Sequence, residues 1–315
     1  KSFPSDVPPL ERTPPVEIGD PFFAPGKLGG GITLPTGAVW QPKLWIYGNL
    51  RTAIQTFDRG TPETATEWTN RLTLFGNLQL SGTERLLVSI EPLNLPGRFS
   101  GYRFESSDGS GFDEHINGNI VTAFFEREIG EIFPGLDKNE LGAFDIGFSV
   151  GRQDIVIQDG FLINDTLDSV GITRNSLRLP GTSNIRITAL YAWDEINRDN
   201  NSEDSGANLF GLFTTADTDI STISLDLAFV NGGQTAGDGF VAGIDAIQRI
   251  GALNTTFRLL GSLAFDAETD AVSDGVLLFS ELSLTPHGTN DLAYLNGFLG
   301  IDRFSSAARG PDRGG

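Results

Sequence analysis

Apolar and polar residues alternate with a period of two from Lys43 almost to the end of the chain. In Leu44-Trp45-Ile46-Tyr47-Gly48-Asn49-Leu50-Arg51 the even positions are largely apolar, while Asn49, Arg51 and Gln55 take the odd ones. The stretch Trp68 to Leu80 repeats the pattern, with Leu72, Leu74, Leu78 and Leu80 on one side and Arg71, Thr73, Asn77 and Gln79 on the other. Strict alternation marks a strand with one apolar and one polar face. Thirteen such strands are predicted, near 43–57, 68–80, 84–93, 118–127, 142–157, 170–179, 184–193, 208–216, 220–230, 239–249, 253–266, 275–285 and 290–302. Only Glu126–Glu140 hints at a short helix. Most strands run about 9–14 residues, long for a soluble sheet and near the ~9–11 needed to cross a bilayer at a tilt.

The connections alternate as well. Gly82-Thr83, Pro180–Ser183, Asp217–Asp219, Ile250–Ala252 and Pro286–Thr289 are short, and 128–141 is the exception on that rim. The intervening connections, 58–65, 94–117, 158–169, 194–207, 231–238 and 267–274, are longer and more polar. Short turns on one rim and long loops on the other mark an outer-membrane barrel, and a soluble sandwich has no reason to sort loops this way. The expected fold is therefore all-β: an antiparallel transmembrane β-barrel spanning 43–302, in the bacterial outer membrane, in contact with its lipid and lipopolysaccharide. Leu44, Ile46, Leu72, Leu74, Leu78, Phe144, Ile146 and Phe148 are expected to face lipid. Trp45, Tyr47 and Trp68 are expected near the rims.

The parity also assigns an inner face. Arg51, Arg71, Arg85, Arg186, Arg249 and Arg258, with Glu91, Asp145, Asp226, Asp245 and Glu281, all lie opposite their strands' apolar residues. A charge facing lipid at the midplane costs about 2–4 kcal/mol, so these side chains are expected to line a pore. Arg51, Arg71 and Arg85 recur on three consecutive strands, a cationic wall that would favour anions.

Composition narrows the classes. With 22 basic and 41 acidic side chains the net charge is −19, which lacks the basic footprint of a nucleic-acid binder. The absence of Cys removes disulfides, thiolate catalysis and Cys-ligated metal. No apolar run approaches the ~18 residues of a spanning helix. No Met occurs, even at position 1, and Lys1–Pro9 has no apolar core, so a processed exported chain is expected. Residues 1–42 hold nine of the 16 prolines and Gly29-Gly30-Gly31, and read as an irregular periplasmic arm, either an unpacked leader or a contact for a periplasmic partner.

Candidate chemistry is sparse. His115 and His287 both lie in loops without the carboxylate and exposed Ser of a catalytic triad, so no enzyme is expected. Asp194, Asp199, Glu203 and Asp204 offer the oxygen ligands calcium prefers, without the EF-hand spacing, and are the one candidate Ca2+ site; no other cofactor is expected. Val150-Gly151-Arg152-Gln153-Asp154-Ile155, followed by Gln158-Asp159-Gly160-Phe161-Leu162-Ile163-Asn164-Asp165, resembles the Gly-Arg-Gln segment of outer-membrane porins of the alginate-export and related substrate-specific classes. The likeness covers about 20 residues. The aromatic residue that follows the motif in those families is absent from Thr166–Gly171, so no substrate carries over. The resemblance implies that the next loop folds into the lumen, where Asp159, Asn164 and Asp165 would narrow the pore.

The expected function is passive diffusion of small polar or ionic solutes, with a homotrimer as one candidate assembly. A barrel that sheathes or anchors a partner protein is the first alternative, and a soluble carbohydrate-binding β protein the second. If the arm is periplasmic, the thirteenth strand ends at the extracellular rim. Bacterial single-chain barrels have even strand numbers, so 14–18 strands are expected in the complete protein, with 303–315 as a loop leading to the rest.

Overall fold

The computed structural model describes residues 15–19, 31–58, 64–95, 97–105, 109–136, 145–233, 236–265, 268–286 and 291–311. The alternating segments form β1 (Lys43–Asp58), β2 (Thr64–Gln79), β3 (Arg85–Ile90), β4 (Arg98–Glu105), β5 (Ile120–Glu128), β6 (Ile146–Ile157), β7 (Ile163–Leu177), β8 (Asn184–Trp193), β9 (Asn208–Asp217), β10 (Ser221–Asn231), β11 (Gly239–Ile250), β12 (Leu253–Ala264), β13 (Gly275–Leu284) and β14 (Ala293–Asp302). Consecutive strands pair antiparallel, except that β3 and β4 both pair with β2 and β5 pairs with β3, so one mostly antiparallel sheet runs from β1 to β14. A single helical turn, Ile129–Ile132, lies in the expected place after β5.

Three expectations change. The segment 94–117, read as one connection, contains β4, which pairs with the upper half of β2 while β3 pairs with the lower half. These two strands form one interrupted column, which is why the segment shows no clean alternation. The connection 158–169 shrinks to 158–162, because β7 begins at Ile163. The last part of the arm is not irregular, since Ile32–Thr33 pairs with Val39–Trp40. Most of 1–42 lies outside the described residues, as do Phe144 and His287.

The sheet curls. Asp302 ends β14, yet Ala308 and Arg309 pair in parallel with Ile163 and Asn164 of β7. Six residue steps span at most about 22 Å. Seven strand spacings along a flat sheet would need about 34 Å. Only a rolled sheet brings both contacts within reach.

The register sorts side chains onto two faces. Arg51 opposes Arg71, Asp245 opposes Arg258, and Glu281 opposes Asn296 on one face. On the other, Leu50 opposes Leu72, Ile244 opposes Leu259, and Leu278 opposes Leu299. Along the strands Asp226, Asp245 and Arg258 are buried, while Leu44, Ile46, Leu225, Leu259 and Leu263 are exposed. Trp193, Tyr191, Phe210, Phe229 and Phe265 form a continuous row of ring contacts 5.1–6.4 Å apart on the exposed face, beside the long-connection ends of their strands.

Among the described residues, the buried apolar cluster of the enclosed side lies mainly along β7–β13. Leu162, Ile163, Leu167, Ile196, Leu209, Val230, Val241 and Leu260 pack there with Ala307 and Ala308, which arrive from beyond β14. Over β1–β6 the same side is open.

Candidate functional site

Of the eleven residues expected on the inner face nine lie on strands, Glu91 and Asp145 just outside them, and the fold divides them into groups. In the first group Arg51 and Arg71 face each other across β1 and β2. Arg71 donates to Glu91 at 2.5 and 3.1 Å, and Arg85 pairs with Glu126 at 2.5 Å. Arg51 has no partner among the described residues. The three arginines are thus not three free cations, because two are neutralised at close range. Arg51 and Arg71, with Asn49, Thr73, Phe75 and Phe99, border an open cavity of about 1020 Å³ along β1–β6, whereas Arg85 lies outside its lining. Tyr47 stacks on Phe75 at 5.1 Å, which puts this ring on the polar face.

The second group is Asp226, Asp245 and Arg258, on neighbouring strands β10, β11 and β12. Arg258 lies 3.6 Å from Asp245 and forms an ion pair with Asp159. Its guanidinium also sits 5.9 Å from the ring of Phe161 and 5.7 Å from that of Phe279, within cation–π range. Gln158 donates to Asp226 at 2.6 Å. The segment after β6 therefore crosses the enclosed side and is held on β10 and β12, by residues 68 and 99 positions further along the chain.

The remaining inner-face residues stand apart. Asp145 accepts from the backbone N–H of Asn175 at 3.1 Å. Arg186 opposes Thr215, and Arg249 donates to the carbonyl of Gly251 at 3.2 Å near a short turn. Asn164 and Asp165 belong to β7 and not to the crossing segment. Asp165 is buried and accepts three hydrogen bonds of 2.9–3.2 Å from Asn197, which ties β7 to the connection between β8 and β9.

Two of the four candidate calcium ligands are engaged elsewhere. Asp199 accepts from the backbone N–H and hydroxyl of Ser306 at 2.9 and 2.8 Å. Asp204 takes Arg198 at 3.1 Å and the Gly233 N–H at 2.9 Å. Burial pushes the Arg198 guanidinium below its ordinary pKa, and Asp204 pulls it back in part. Among the described residues no three His, Asp or Glu side chains converge as a metal site. His115 donates its backbone N–H to Ser100 at 2.8 Å.

Sequence reasoning missed Gln158, Phe161, Leu162, Phe279 and the carboxylate partner Glu126. The one local signal was Asp159-Gly160, a turn dipeptide. Neither a protein-family model nor a curated protein matches this chain.

Proposed function

We propose that the sheet is the wall of a bacterial outer-membrane channel that passes small polar or ionic solutes by passive diffusion and catalyses no reaction. One observation carries this reading: the exposed face is apolar and the enclosed face is charged. In water, that arrangement would leave Leu, Ile and Phe in solvent while charges are desolvated, at a cost on both counts. In a bilayer both faces are satisfied.

Dimensions support the same reading. Leu44 to Ile54 covers ten residue steps, about 34 Å along the strand. At the ~40° tilt usual for such barrels this is about 26 Å of height, close to the ~25 Å apolar band. The aromatic row at the long-connection ends matches an interfacial girdle, where amphipathic rings meet lipid headgroups and lipopolysaccharide.

Planar-bilayer recording tests the channel reading directly, with discrete open-channel steps expected. A sheathing scaffold is the second reading. It is favoured by the filled interior over β7–β13, and steady silence in the bilayer would support it. Solubility without detergent would overturn both.

A further inference from the structure

We propose that Arg258 is the residue that sets the size limit of the pore, by clasping the 158–162 segment across the lumen. The conductance part of this inference rests on the channel reading above; the clasp itself does not.

The segment is held in a conformation it would not keep alone. Gln158, Asp159 and Gly160 have φ of +57°, +52° and +90°, three consecutive residues in the left-handed region. Two of them carry side chains, and L-residues populate that region sparsely. Such a run persists only where the surroundings over-determine it. Here Arg258 supplies the surroundings. It is buried, and it meets the Asp159 carboxylate and the rings of Phe161 and Phe279 while Asp245 balances its charge from β11. Gln158 adds the bond to Asp226, and Leu162, fully buried, anchors the end of the segment in the core.

Asp159 itself stays largely exposed, with 74% of its side chain open. The clasp is therefore sealed below and wet above, so its release frees lumen without unfolding a strand. A lumen-facing arginine elsewhere lacks this arrangement: Arg71 and Arg85 pair with carboxylates on neighbouring columns of the sheet and hold no crossing segment.

The test uses two release variants, Arg258→Gln and Asp159→Asn, with Asp219→Asn in a short turn as control. Asp159→Asn guards against misfolding, because it removes an exposed charge and leaves the Arg258–Asp245 pair in place. Single-channel conductance and the size cut-off for sugars in liposome swelling should both rise in the two release variants and stay unchanged in the control. Because both act on one contact, the double variant should match the larger single effect. A second readout does not depend on conduction. The chain has no native Cys, so a single Leu162→Cys substitution reports burial of the segment. Thiol labelling in detergent should be slow in the parent and accelerate roughly tenfold or more with Asp159→Asn, through local opening. Faster labelling without conductance would keep the clasp and sink the channel. Conductance, cut-off and labelling all unchanged in Asp159→Asn would overturn the clasp and leave the channel standing.

Discussion

The β1–β6 and β7–β13 parts of the sheet share one alternation and differ in what lies against their polar face. Along β1–β6 that face borders an open cavity, and its charges are satisfied sideways, Arg71 by Glu91 and Arg85 by Glu126. Along β7–β13 it is covered by the 158–162 segment and by Ser305–Ala308, and the charges are satisfied from above by that cover. Strand pattern alone thus specifies a two-faced wall. Whether the enclosed face holds solvent or a core depends on which connections turn inward.

The largest effect expected from this difference is on stability. Leu162→Ala should cost about 2–5 kcal/mol, because it empties a fully buried site on the filled side. Thermal unfolding in detergent reads it, and a loss below that of Leu50→Ala on the exposed face of β1 would contradict the proposed core.

Next in size is the exposed face itself. Leu259→Arg puts a charge among Ile244 and Leu278 and should cost about 2–4 kcal/mol if that face meets the bilayer midplane. Folding into lipid vesicles measures it, and a neutral result would mean that the face is not in lipid.

The cavity side gives a smaller electrostatic effect. If the sheet forms the proposed channel, replacing Arg51, Arg71 and Arg85 together by Gln should shift reversal potentials toward cations. The partners predict how the shift divides. Arg51→Gln removes one free charge, whereas Arg71→Gln also releases Glu91 into the lumen, so the second variant should shift further. Adding Glu91→Gln to Arg71→Gln should cancel most of that shift at low salt. Equal shifts for all single variants would mean that the ion pairs do not hold.

The smallest effect belongs to a residue with no part in either interior. Arg249→Gln loses one exposed bond to the Gly251 carbonyl and should change stability by less than about 0.5 kcal/mol. A larger loss would point to a structural role for that rim.

Much of this architecture is legible along the chain, because alternation is a local property. Each strand needs only its own residues to declare a polar and an apolar side, so Arg51, Asp226, Asp245 and Arg258 could be assigned one face before any pairing was known. Short turns and long connections are equally local, and they order the strands. Where the pattern breaks, the reading fails for a physical reason. β4 completes a column that β3 leaves unfinished, and only the length of β2 shows that both fit.

The sequence by itself determined an all-β chain whose strands each carry two chemically opposite faces. Tertiary structure decided which polar residues meet. Gln158 reaches Asp226 across 68 residues, Asp159 reaches Arg258 across 99, and Ser306 reaches Asp199 across 107. No local pattern encodes such contacts, since they depend on the roll of the sheet that brings distant strands face to face. The same roll turns Ser305–Ala308, unremarkable as a tail, into a buried wedge against β7.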